Sequence, residues 1–132
     1  MLKDDFYHIT EQHTADSPAD GTREKHIFRV VLNRDHRVYE GHFPGNPVVP
    51  GVCQVGMIGE LIAVILQRKV QLESAGNIKF LSMIQPTVNS RLQIEIEILG
   101  KEAETHEVQA VISAEKEVFL KFRGRFTTLP GS

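Results

Sequence analysis

The chain has 132 residues, 41% of them hydrophobic and 24% charged, with a net charge of -2 at pH 7. That length supports one compact domain with its own core, and the slight acidic balance excludes a general nucleic-acid binder, which would carry a basic excess. No apolar run approaches the ~20 residues that span a bilayer. The opening MLKDDFYHIT lacks the apolar core of an export signal, and the one cysteine, Cys53, excludes an intramolecular disulfide. The expected location is the cytoplasm, with no membrane and no nucleic acid as partner.

In chain order, residues 6–13 read as one arm of a hairpin, and TADSPADGT over 14–22 is a turn cluster. Residues 24–33 follow as a strand in which Phe28, Val30 and Leu32 share one face. From Gly51 to about residue 68 the chain is apolar and too long for one strand. Pro50 and Gly51 mark a helix start, and Gln67-Arg68-Lys69 marks its end, where cations suit the dipole. Its apolar residues run nearly all round, which predicts a helix enclosed by other structure.

Strands then dominate. Residues 78–84 read as one, with Pro86 preventing a central strand from continuing. Leu92, Ile94, Ile96 and Ile98 alternate with Gln93, Glu95 and Glu97. Val108, Ala110 and Ile112 alternate more weakly. Val118, Leu120, Phe122, Gly124 and Phe126 form the last set. Short turns at 99–101 and 114–116 predict antiparallel neighbours. The fold class is α+β, a sheet wrapped round a helix, in a single domain.

Chemistry concentrates in His42-Phe43-Pro44-Gly45-Asn46-Pro47-Val48-Val49-Pro50-Gly51-Val52. Three prolines hold an imidazole in a stiff course just before a helix N-terminus, and that terminus offers unpaired N–H donors to negative charge. This run resembles the signature of the hotdog-fold 3-hydroxyacyl-[acyl-carrier-protein] dehydratases, and Ile78-Lys79-Phe80 followed by Pro86 is similar to that family's next strand. The resemblance implies a hotdog fold, a homodimer or an oligomer of dimers, and a substrate carried as a thioester of acyl carrier protein or coenzyme A. It implies no metal and no organic cofactor.

Carried over by position, His42 matches the histidine that removes the C2 proton. Gly51 matches the glycine whose N–H polarises the thioester carbonyl. Phe43, Val52 and Gln54 fall beside them as substrate-binding candidates. The family's helix acid falls at position 56, which here is Gly56. Glu60 lies one turn later on the same face and is the candidate replacement acid. A carboxylate in an apolar helix is costly to bury unless it is paired or faces a wet cavity, so a helix edge facing solvent or a partner's cation is the other reading of Glu60. Gly56 and Gly59 each cost about 1 kcal/mol against Ala inside a helix. They serve close packing, room for an acyl chain, or both.

Gln54 would supply a hydrogen bond to a substrate hydroxyl but no proton. Cys53 stands in the first helical turn, where a thiolate is favoured, although a cysteine among apolar residues is usually core. His8, His13, His26, His36 and His106 have no metal-ligand spacing. Lys121, Arg123 and Arg125 share a strand face suited either to an acidic carrier or to solvent. The expected function is hydro-lyase chemistry on a 3-hydroxyacyl thioester in fatty-acid or polyene-type lipid synthesis. The alternatives are a hotdog thioesterase using Glu60, and a non-catalytic acyl-binding subunit.

Overall fold

A computed structural model describes residues 2–15, 23–41 and 45–131. Strands β1 (Tyr7–Ala15) and β2 (Glu24–Leu32) precede a short 3-10 turn at Arg37–Tyr39 and helix α1 (Gly51–Leu66). Then come β3 (Val70–Phe80), β4 (Arg91–Glu102), β5 (Thr105–Ala114) and β6 (Glu117–Thr128). All pairings are antiparallel, in the order β1-β2-β4-β5-β6-β3. This is the hotdog arrangement: α1 carries the chain from β2, beside one edge, to β3 at the other.

The period-two pattern decides which sheet face meets the helix. Phe28, Val30, Ile94, Ile96, Val108 and Ile112 are all at most 1% exposed, and the alternate residues of β4 and β5 stay half-buried. From α1, Met57, Ile58, Leu61 and Ile62 meet them with no exposure at all. Register shifts put extra residues in β1, β3, β4 and β6, and such bulges bend a sheet enough to curl round one helix.

The first strand and its pairing with β2 match the expected hairpin, though the expected turn at 14–22 lies largely outside the described residues. Three details differ from the sequence reading. The strand expected over 78–84 is β3, which begins at Val70 and ends at Phe80. Pairing with β6 over its length outweighs the polar, weakly alternating sequence of its first half. The turn expected at 99–101 falls after Glu102, because a bulge between Ile98 and Gly100 lets the ladder run on to Thr105. Helix α1 is also not enclosed on all sides. It buries one flank, while Val52 on the other is 80% exposed. One six-stranded sheet covers only one side of a helix, and the flank of Val52, Gly56 and Glu60 is half-buried except at Val52. Among the described residues, no helix is long and apolar enough to cross a membrane.

Candidate active site

The sequence around residue 50 builds a helix start with open donors. Pro50 is the N-cap in extended conformation (φ -61, ψ 146) and makes no side-chain cap bond. The N–H groups of Cys53 and Gln54 both return to the Pro50 carbonyl, at 3.0 and 3.1 Å. Those of Gly51 and Val52, the first two positions, have no acceptor inside the helix. Val49 fixes the approach by donating to the Ile84 carbonyl at 2.8 Å. An open groove lies here, lined by Val48, Pro50, Gly51, Gln54, Phe80 and Met83.

Gly51 lies in close contact with the tip of the Phe80 ring. A Cβ on it would stand 2.9 Å from the Phe80 ring. The end of β3 therefore lies directly against the start of α1, and Phe80, 54% exposed, forms the groove wall. Gln54 is 3% exposed and its amide nitrogen donates to the Val49 carbonyl at 3.3 Å. Its carbonyl oxygen is buried and has no partner among the described residues. The expected hydrogen-bond donor thus has one of its two amide N–H groups committed and its acceptor oxygen free among the described residues.

His42 and Phe43 lie outside the described residues. In the sequence they stand between Gly41 and Gly45, after Tyr39 and before the N-cap Pro50. Tyr39 is a residue that sequence reasoning missed. It is 6% exposed, packs on the Phe6 ring with centroids 5.9 Å apart, and its hydroxyl has no partner among the described residues. Burial first, then the neighbouring Cys53, raises its pKa, so the phenol keeps its proton. Nothing local in the sequence signals this, since the contact partners lie far along the chain.

Cys53 is buried, and loss of hydration raises its thiol pKa, which outweighs the helix-start effect expected from its position. Gly59 faces Phe126, where a Cβ would stand 3.4 Å from the ring, close to ordinary van der Waals contact. Glu60 is half-buried and engaged. Its carboxylate accepts the N–H of Leu2 at 2.6 Å, the N–H of Lys3 at 2.8 Å and the hydroxyl of Tyr7 at 3.0 Å. At Gly56 a Cβ would meet Leu2 Cδ1 at 3.0 Å. On the outer face, Arg123 binds Glu107 at 2.8 Å, while Lys121 stands opposite Lys79 in register without an ion pair among the described residues.

With this geometry in view, the family model of the ApeI-like proteins, described as ApeI dehydratase, matches residues 18–123. The chain belongs to the ApeI-like dehydratase family. It is 30% identical over 106 residues to the 3-hydroxyacyl-[acyl-carrier-protein] dehydratase FabZ of Caldicellulosiruptor saccharolyticus, covering 75% of this chain and 73% of that one. Against FabZ of Caulobacter sp. the match spans only 41% of the relative's length. Among solved structures, the dehydratase heterocomplex ApeI:P from Xenorhabdus doucetiae superposes with a TM-score of 0.65 at 16% identity, over 91% of this chain and 96% of that one. The thioesterase candidate yhdA from Lactococcus lactis gives 0.65 at 14% identity, over 94% of each. At such identities the two structures speak for the hotdog fold, and the family model and FabZ speak for a dehydratase-like lineage.

Proposed function

We propose that this ApeI-like chain is a hydro-lyase that removes water from 3-hydroxyacyl thioesters, carried by acyl carrier protein or coenzyme A, in fatty-acid or polyene-type lipid synthesis. The observation that carries the reading is the pairing of Gly51 with Phe80 at a helix start whose first N–H groups have no intrahelical acceptor. Donors fixed in place before reaction stabilise the enolate-like charge that develops on a thioester oxygen. His42 takes the C2 proton. The electron pair of that C–H bond forms the C2–C3 double bond, and the C3 hydroxyl leaves as water with the proton returned by His42. One residue then serves as base and acid in turn. Position 56 is glycine, and three donors already occupy Glu60, which favours this one-residue cycle over an acid supplied by Glu60. The same occupancy weighs against a thioesterase that would need Glu60 as base.

A second hotdog chain belongs in this reading. β3 is an edge strand exposed along most of its 11 residues, and Val52 on α1 is 80% exposed. An unprotected edge of that length is a template for another strand. Its occupant is a second copy or a homologous chain, and the structural neighbour ApeI:P is itself a dehydratase heterocomplex. The absence of an acid at position 56 supports a second reading, an acyl-binding subunit that works beside an active partner. Lys79 and Lys121, next in sequence to Phe80 and Leu120, suit an acidic carrier protein.

The test is turnover of a carrier-loaded 3-hydroxyacyl thioester by wild type, His42→Ala and Glu60→Gln, with enoyl product and free thiol followed together. Enoyl thioester from wild type and none from His42→Ala is the expected result. Free thiol without enoyl product means a thioesterase. Binding with neither product, even with a homologous chain added, means the acyl-binding subunit.

A further inference from the structure

Residues 2–7 form a compact turn fastened across helix α1, and nothing in the dehydratase reading uses it. The turn is closed by its own backbone: Phe6 N–H donates to the Leu2 carbonyl and Asp4 N–H to the Tyr7 carbonyl, both at 2.7 Å. Asp4 takes the left-handed conformation (φ 69), which Asp tolerates better than most residues. Phe6 and Tyr7 are fully buried, so the root of the turn is set in the core. Its tip is tied down by Glu60, whose two carboxylate oxygens take the N–H groups of Leu2 and Lys3 at 2.6 and 2.8 Å. The Tyr7 hydroxyl adds a third bond at 3.0 Å. Burial, and then the negative charge of Glu60, raises the Tyr7 pKa, so this hydroxyl remains a donor.

What the fastening achieves is the placement of Leu2. Its Cδ1 reaches to 3.0 Å from where a side chain at residue 56 would begin. Gly56 and Glu60 are one turn apart on the same flank of α1, so the residue that pins the turn and the notch that receives its side chain are neighbours. An apolar branched side chain fills a glycine notch on the helix that, on the reading above, borders the thioester.

We propose that residues 2–7 are a specificity strap: Leu2, seated over Gly56 and positioned there by Glu60, limits the size of the acyl group admitted beside α1. This rests on the acyl-thioester reading and deepens it. Leu2 is the gauge and Glu60 a positioning residue, acting through Leu2 and not on the reacting atoms. A single methylene more or less against such a wall changes discrimination roughly ten-fold or more, and Leu→Ala removes three carbons.

The experiment measures kcat/KM for short, medium, long and branched 3-hydroxyacyl thioesters with wild type, Leu2→Ala and Glu60→Gln. Affinity for thioether analogues of the same acyl groups is measured alongside, so that a chain without turnover still reports its size preference. Leu2→Ala is expected to shift the ratio of large to small acyl groups by about ten-fold toward the large. Glu60→Gln is expected to shift the ratio in the same direction and to speed amide exchange at Leu2 and Lys3. An unchanged size profile in Leu2→Ala, with wild type binding or turning over thioesters, overturns the strap. Uniform loss across all substrates in Glu60→Gln, with Leu2→Ala unchanged, overturns it in favour of Glu60 as the acid. Failure of wild type to bind any thioester or analogue removes the acyl-thioester reading, and the strap's role falls with it.

Discussion

The Phe80 ring lies so close to Gly51 that a methyl group on residue 51 would stand 2.9 Å from it. The last residue of β3 thereby leaves no room for a side chain at residue 51 unless its ring moves, and its exposed ring walls the groove at the helix start. The first residue of the helix and the last of the strand act as one unit in shaping the site.

Gly51→Ala is accordingly expected to impair chemistry more than folding. Phe80 is 54% exposed and has room to swing, so the destabilisation is about 1 kcal/mol or less. The groove wall moves with the ring, and kcat/KM falls at least ten-fold. Gly51→Ala combined with Phe80→Ala removes the clash. The double variant should then lose less than the sum of the two single effects, a coupling read from the four-way comparison of kcat/KM and urea midpoints.

Glu60→Ala should destabilise the fold by about 2–4 kcal/mol, because two backbone N–H groups and a buried-ring hydroxyl lose a shared acceptor. Glu60→Gln keeps one acceptor oxygen and should lose roughly half as much. Urea unfolding of the three proteins checks this order. Equal stability of wild type and Glu60→Ala would mean that the three bonds contribute nothing in solution.

His106 is 6% exposed on β5, and burial, followed by the charge of Lys101, lowers its pKa below the ordinary 6.5. The folded protein therefore takes up this proton at lower pH than the unfolded chain. Between the two pKa values the unfolded state binds more protons, so stability rises with pH there. The full contribution is present above about 6.5 and is lost as pH falls through the folded value. His106→Phe should flatten this acid-side slope, which urea titrations at pH 5 and pH 7.5 would resolve.

Cys53 should react slowly with thiol reagents in the native state, since it is 8% exposed and desolvation raises its pKa. Its labelling rate in the folded protein is expected to follow unfolding or local opening, and to become immediate in denaturant. Fast stoichiometric labelling of the native chain would instead mark an accessible thiolate at the helix start.

Much of this was legible in the residues alone. The alternation of Leu92, Ile94, Ile96 and Ile98, and of Phe28, Val30 and Leu32, fixes the buried faces of β4 and β2, because a strand's two faces follow strictly from a period of two. Pro50-Gly51 sets the helix start for an equally local reason, the fixed φ of proline before the first turn. The proline-braced run from His42 to Val52 carried the family, since a motif of that length is itself the information.

The tertiary structure alone decided what no window of sequence contains. Glu60 meets Leu2 and Lys3 across 58 and 57 residues, and its partners turned an apparently misplaced carboxylate into the clasp of a strap. Phe80 comes to Gly51 only because β3 runs back along β6 to the helix start, and β3 itself is a strand by virtue of its partner more than its pattern. Local sequence determines faces, caps and motifs, where the governing distances are a few residues. Close packing between remote segments determines which of those residues meet, and at this site those meetings define the groove wall and the seat of Leu2 over Gly56.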